Sequence, residues 1–317
     1  GKAFFWDIQA GSDGKTTCAS CHHNGGADSR VRNQMYNGPD GAFNIFESGR
    51  GGPNSTLESS DFPFHRLSNP NDAESTVLRS VDDSHASAGV ASRIFEGVIP
   101  GQGEENGRVE PDPVFSVSMC NVDAVTNRNA PSVINSVFFV RQFLDGRADF
   151  RFNGVNAWGD QDTDARVLKA IPGGDVTEVR ISLDKSSLAS QAVGPLTSSV
   201  EMAWRDDIDA DKIRSMPMVG RKLLSAKPLI EQDVHPEDMH LGHLSAAPAQ
   251  GLAGDLTYED MIRAAFVDQW WDGDGTFDGF TMMERNFSLY WGLAIQMYES
   301  QLVSDQAPIA LWLAGDE

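Results

Sequence analysis

Cys18-Ala19-Ser20-Cys21-His22 is the stretch on which the reading of this chain turns. Cys-x-x-Cys-His is the attachment signature of a c-type haem. The two thiols are spaced to form thioethers with the two vinyl groups of one porphyrin, and the adjacent His22 supplies an axial imidazole to the iron. A cysteine pair has two other common uses. A redox dithiol belongs between a strand and a helix in a βαβ pattern, which this sequence lacks. A zinc site needs a second ligand pair, and no second Cys-x-x-Cys follows in a chain with 3 cysteines among 317 residues. Covalent haem c is therefore the expected cofactor, held by Cys18, Cys21 and His22.

Covalent attachment places the chain outside the cytoplasm, periplasmic or otherwise exported. Gly1-Lys2-Ala3-Phe4-Phe5-Trp6 lacks the apolar core and cleavage site of a signal peptide, so the numbering reads as that of a mature or trimmed chain. The longest apolar clusters, such as Val137-Phe138-Phe139-Val140, are core-sized, and no membrane span is expected. A net charge of −21 argues against nucleic acid and an anionic membrane as partners. An acidic surface suits a basic electron-donor protein, although plain solubility explains it more simply. Cys120 is left over; its default reading is a buried, inert thiol, with pairing to another chain or a place near the iron as alternatives.

Glycine and proline punctuate the start of the chain at Gly25-Gly26, Gly38-Pro39, Gly49 and Gly51-Gly52-Pro53, which predicts irregular loops wrapping a haem edge. Helical signals gather later. Asn129-Ala130-Pro131 offers a cap and a first-turn proline. Ser186 or Ser187 begins a helix that Gly194-Pro195 stops. Thr257 to Asp260 and Thr281 to Glu284 match the capping box. Met283, Phe287, Tyr290, Ala294, Met297 and Gln301 then recur at helical spacing, predicting one core-facing helix of about six turns. Asp272 to Asp278 alternates oxygen side chains as a calcium loop would, but Phe277 and Met283 stand where glycine and the bidentate glutamate belong, so an ordinary acidic turn is the better reading. Alternating strand patterns are scarce. The expected fold is mostly α: a cytochrome c-like haem domain over 1–205 with long irregular loops, and a helical extension over 206–317.

Three further blocks carry a family resemblance. Arg128-Asn129-Ala130-Pro131-Ser132-Val133-Ile134-Asn135, Gln142-Phe143-Leu144-Asp145-Gly146-Arg147-Ala148, and Ser190-Gln191-Ala192-Val193-Gly194-Pro195 with Val200-Glu201-Met202 follow the haem motif in order. Together they resemble the bacterial di-haem cytochrome c peroxidase family, which includes the methylamine-dehydrogenase maturation enzymes. The resemblance implies an exported oxidoreductase that reduces peroxide, with electrons from a second haem or a partner cytochrome. It makes His22 the proximal ligand, Glu201 the distal acid–base residue and Gln191 a residue of the same pocket. It also makes Asn129 a residue that helps hold calcium between two haems, and Arg147 an ion-pair partner of a neighbouring carboxylate, buried or facing the haem.

The sequence departs from that family in three places. Leu144 replaces the tryptophan found between the haems, and neither Trp158 nor Trp204 is shown to substitute for it. No second Cys-x-x-Cys-His is present, so the second haem belongs to a separate chain, to a longer protein of which this is a piece, or to a lineage that has lost it. The region before Asn129 reads Ser118-Met119-Cys120-Asn121-Val122, without the histidine that could cap the iron. Read literally, the distal site is open; Met119 and Cys120 are ligand alternatives better explained as packing. His23, His65, His85, His235, His240 and His243 read as surface or capping residues. Two competing functions remain: an electron-transfer haem subunit of a larger complex, and maturation-type oxidation of a protein or organic substrate.

Overall fold

Local capping chemistry is realised where it stands in the sequence. Thr17 caps the haem-motif turn by accepting from the Ala19 amide at 2.9 Å, and the Ser20 hydroxyl returns the favour to the Thr17 amide at 3.0 Å. The expected boxes at Thr257 and Thr281 form in the same way. The computed structural model describes residues 1–315. Its α-helices are α1 (Lys2–Trp6), α2 (Cys18–Cys21), α3 (Ser187–Ala192), α4 (Met216–Leu223), α5 (Tyr258–Ala265), α6 (Met282–Arg285), α7 (Phe287–Glu299) and α8 (Pro308–Ala314).

The expected mostly α architecture is not what forms. Helix accounts for 26% of the chain and strand for 17%. The strands pair as 2-stranded antiparallel sheets, among them Val167–Ala170 with Val176–Val179 and Ala88–Ala91 with Asp123–Val125. They were invisible to periodicity because each runs for only two to four residues, too short for an alternation to register. Nor does a helix begin at Asn129, whose segment runs irregularly to a short 3₁₀ turn at Ser136–Phe138. The acidic stretch at 272–278 leads into a hairpin, Thr276–Phe277 with Phe280–Thr281, whose tip residues Asp278 and Gly279 both have positive φ.

The single long helix is also broken, between α6 and α7 at Asn286. That side chain is fully buried and acts as a piece of sheet: it accepts from the Leu168 amide at 2.8 Å and donates to the Leu168 and Trp270 carbonyls, each at 2.8 Å. Beyond the break, the buried face of α7 runs through Trp291, Ile295, Tyr298 and Glu299, whereas Met297 is 62% exposed. Met283, Phe287 and Tyr290 do lie in the core.

Residues from both ends of the chain build one apolar cluster. Phe4 stacks on Tyr258 with ring centroids 4.5 Å apart and tilts against Trp291 at 4.8 Å. The Trp291 indole donates to the Ala192 carbonyl at 2.9 Å, tying α7 to α3. A second buried assembly is ionic. Glu105 accepts from both Arg214 (2.7 Å) and Lys222 (2.6 Å), all three being nearly or wholly buried. No described helix is long and apolar enough to cross a membrane.

Candidate haem centre

The turn bearing the two cysteines is anchored from below. Besides capping α2, the Thr17 hydroxyl donates to the Phe5 carbonyl at 2.6 Å, fixing the turn to α1. His22 follows as the C-cap, its amide donating to the Cys18 carbonyl at 2.9 Å. Its Nδ1 lies 2.7 Å from the Pro131 carbonyl. A carbonyl can only accept, so Nδ1 carries the proton and Nε2 is left as a free lone pair. Burial holds the imidazole below its ordinary value, which keeps that lone pair available.

Cys21 is held from the side. Arg30 Nη2 lies 3.3 Å from its sulfur and 2.8 Å from the Ala88 carbonyl. The guanidinium is itself gripped by the buried Asp28 carboxylate, through Nη2 at 2.7 Å and Nε at 3.0 Å. Burial pushes the Cys21 thiol up to about 11 against the pull of Arg30, and raises Cys18 further. At Asp28 burial opposes the charge, but the hydrogen bonds from Arg30 overcome it and hold the carboxyl below its ordinary value.

The strand Ala88–Ala91 connects this side to Glu201. Ala88 faces Cys21 and Arg30, while Gly89 lies against the backbone of residues 200 and 201. A Cβ at position 89 would sit 2.3 Å from the Glu201 carbonyl and 2.7 Å from its Cα, so only glycine permits the approach. Glu201 is half-buried, and its charge reaches both Cys18 and Cys21. Burial raises its pKa, and the Ser198 hydroxyl and Arg147 charge pull the other way.

The remaining expected residues fall variously. Gln191 is half-buried on α3. Asn129 is exposed, and its amide bridges the Asp28 carbonyl (3.0 Å) and the Ser87 hydroxyl (3.0 Å). No group of three or more His, Cys, Asp or Glu side chains that could hold a metal ion occurs among the described residues. Arg147 pairs with Asp145 at 2.9 Å and lies over the Phe143 ring, and is half-buried. Leu144 is 85% exposed, and Phe138, Phe139 and Val140, a few residues earlier in the chain, are exposed too. Met119 and Cys120 do not pack inside as expected. They occupy an exposed hairpin tip, where Ser118 and Met119 take positive φ.

Four contributors escaped the sequence reading: Asp28, Arg30, Gly89 and Glu299. Only Glu299 left a readable trace, an acidic residue four positions after Ile295 on the apolar face of α7. The residues present fit a covalent haem. Two un-ionised thiols stand one helical turn apart, a neutral imidazole offers Nε2, and Cys18 packs on the main apolar cluster.

That donor set has the composition a covalent haem requires. The family described as di-haem cytochrome c peroxidase matches residues 103–317, and the chain belongs to it. It is an oxidoreductase of the haem peroxidase type, and haem c is the cofactor of its family. Gln191 and Glu201 lie inside the matched residues, while Cys18 to His22 precede them. No curated protein and no solved structure matches the chain.

Proposed function

We propose that this chain reduces peroxide at a haem carried on Cys18 and Cys21, with His22 as the axial ligand and Glu201 as the acid–base residue. One observation supports it above the others: Glu201 is brought from far along the chain to within charge reach of both attachment cysteines, with a raised pKa. When bound, the haem supplies the iron that takes up an oxygen of peroxide and passes the electrons. Glu201 removes the proton from one peroxide oxygen and delivers it to the departing one, a transfer for which a carboxyl raised toward neutrality is better matched. The Ser198 hydroxyl bond fixes that carboxyl, and Gln191 orients peroxide or water. Arg30 and Asp28 immobilise the Cys21 side, and Pro131 fixes the His22 tautomer. Electrons arrive from a second haem or from an electron-donor cytochrome or small redox protein, and the chain works in the periplasm or another exported location.

Glu201→Gln tests this. With haem still attached, peroxide turnover by a reduced donor should fall by about 10²–10⁴-fold. Unchanged turnover overturns the assignment. The exposed Leu144 patch favours a second reading, an electron-transfer subunit docked through Phe138, Phe139, Val140 and Leu144. Ferric EPR separates the two: a high-spin signal accompanies an open distal site, and a purely low-spin spectrum favours electron transfer.

A further inference from the structure

Glu299, the last residue of α7, is a carboxyl that the reaction above does not use. It is 2% exposed, and no hydrogen bond reaches its Oε2. Among the described residues no cation is paired with it. A buried carboxylate in that condition is costly unless a ligand or a proton compensates it.

Its position gives the vacancy a meaning. After burial, the Glu299 charge is the largest influence on the Cys18 thiol. The surroundings agree with that proximity. Leu302, one turn beyond, accepts from the Asn135 amide at 2.8 Å, and its methyl would meet a Cβ built on Gly25 at 3.4 Å. Tyr298 packs on Phe5, the residue whose carbonyl anchors Thr17. The end of α7 therefore lies against the segment that holds Cys18 and His22.

The groups facing it from neighbouring elements are few. From the start of α1 comes Lys2, already paired with Asp238. From the Cys18–Cys21 turn comes Cys18. From the loop after α4 comes His240, edge-on to the Tyr298 ring. The residues of α3 and of the 3₁₀ turn Ser136–Phe138 carry no charge. A haem on Cys18 would bring its charge to this side of Glu299.

We propose that Glu299 is a proton-binding site coupled to the electron chemistry of the haem that Cys18 carries. As the haem gains one electron from the donor of the peroxidase reaction, the Glu299 carboxylate takes up one proton from solvent; on oxidation it returns that proton. Only a carboxyl O–H bond forms and breaks, and the charge added to the site by each electron is cancelled. Burial alone raises Glu299 to about 8, which places the exchange close to physiological pH. The inference rests on the haem attachment proposed above.

The test is the midpoint potential of the haem-loaded chain at a series of pH values on either side of 8, after a haem-stained denaturing gel. The wild-type potential should fall as pH rises through that window, with a slope approaching about 59 mV per pH unit, the one-electron equivalent of a tenfold change. Glu299→Gln should flatten the slope, while Glu299→Asp keeps it. A potential that is flat in the wild type, or still sloped in Glu299→Gln, overturns the inference with the attachment intact. A chain without covalent haem overturns the attachment and this inference together. Should Glu299→Gln not fold, redox-difference infrared spectra of the wild type decide: a protonated-carboxyl band that grows on reduction supports the coupling, and its absence overturns it.

Discussion

Glu105 and Glu299 are both almost wholly withdrawn from water, yet the protein treats them in opposite ways. At Glu105 burial works against the charge, but Arg214 and Lys222 overcome it and hold the carboxyl at about 2. At Glu299 burial acts alone and raises it to about 8. One site is a charged clamp: besides Glu105, Arg214 binds the Ala10 carbonyl at 2.9 Å and Lys222 binds the Gly11 carbonyl at 2.9 Å, just ahead of the turn bearing Cys18 and Cys21. The other is a neutral group waiting for a change in its surroundings. Depth does not decide the state of a buried acid; what lies opposite it does.

Removing the acid from the clamp gives the largest expected effect. Glu105→Ala leaves two buried cations facing each other, and should cost about 3–5 kcal/mol in denaturant unfolding. A loss below about 1 kcal/mol would mean that water already satisfies the cations. The second effect is a difference in pH dependence. Glu105 contributes stability that is present above its ordinary value of 4.5 and is lost as pH falls through about 2. Glu299 acts in the reverse sense. Between 4.5 and about 8 the native chain keeps a proton that the unfolded chain has released, so stability declines as pH rises across that span. Unfolding midpoints measured over pH should show Glu299→Gln removing a decline on the order of a few kcal/mol.

Glu201 stands between these extremes, with burial raising it and weak partners pulling back. Gly89→Ala should displace its backbone and lower peroxide turnover by about tenfold or more, with haem content retained. The smallest effect belongs to Arg147→Met. It withdraws a partly exposed charge, so the pH profile of turnover should move upward by less than about one unit. A profile that moved further would place Arg147 closer to Glu201 in working conditions than its ion pair with Asp145 implies.

How much of this was legible depended on how far apart the partners stand in the chain. The haem turn and the capping boxes at Thr257 and Thr281 were readable because donor and acceptor lie within three residues. The break at Asn286 was not, because its partner Leu168 is 118 residues away. The same holds for Gly89 against Glu201 and for the clamp around Glu105. Short hairpins hid the strand content, and one of them carried Met119 and Cys120 outward, against the habit of their residue types. The blocks around Asn129, Gln142 and Glu201 marked the family, but not the contacts that bring Glu201 to the cysteines.

The pairing of α1 with α7 also bears on how the chain reaches its native state. The Trp6 indole donates to the Tyr298 hydroxyl across 292 residues of sequence. Closing so long a loop is entropically slow, and its reward comes only when the apolar cluster assembles. Phe4 and Phe5 have no place to go until α7 has been synthesised, and the Thr17 anchor depends on Phe5 being in position. The turn at Cys18–Cys21 is therefore made before α7 and settles only after α7 has arrived. A nascent chain stalled before α7 presents Phe4 and Phe5 to solvent, a natural handle for chaperones and a seed for aggregation.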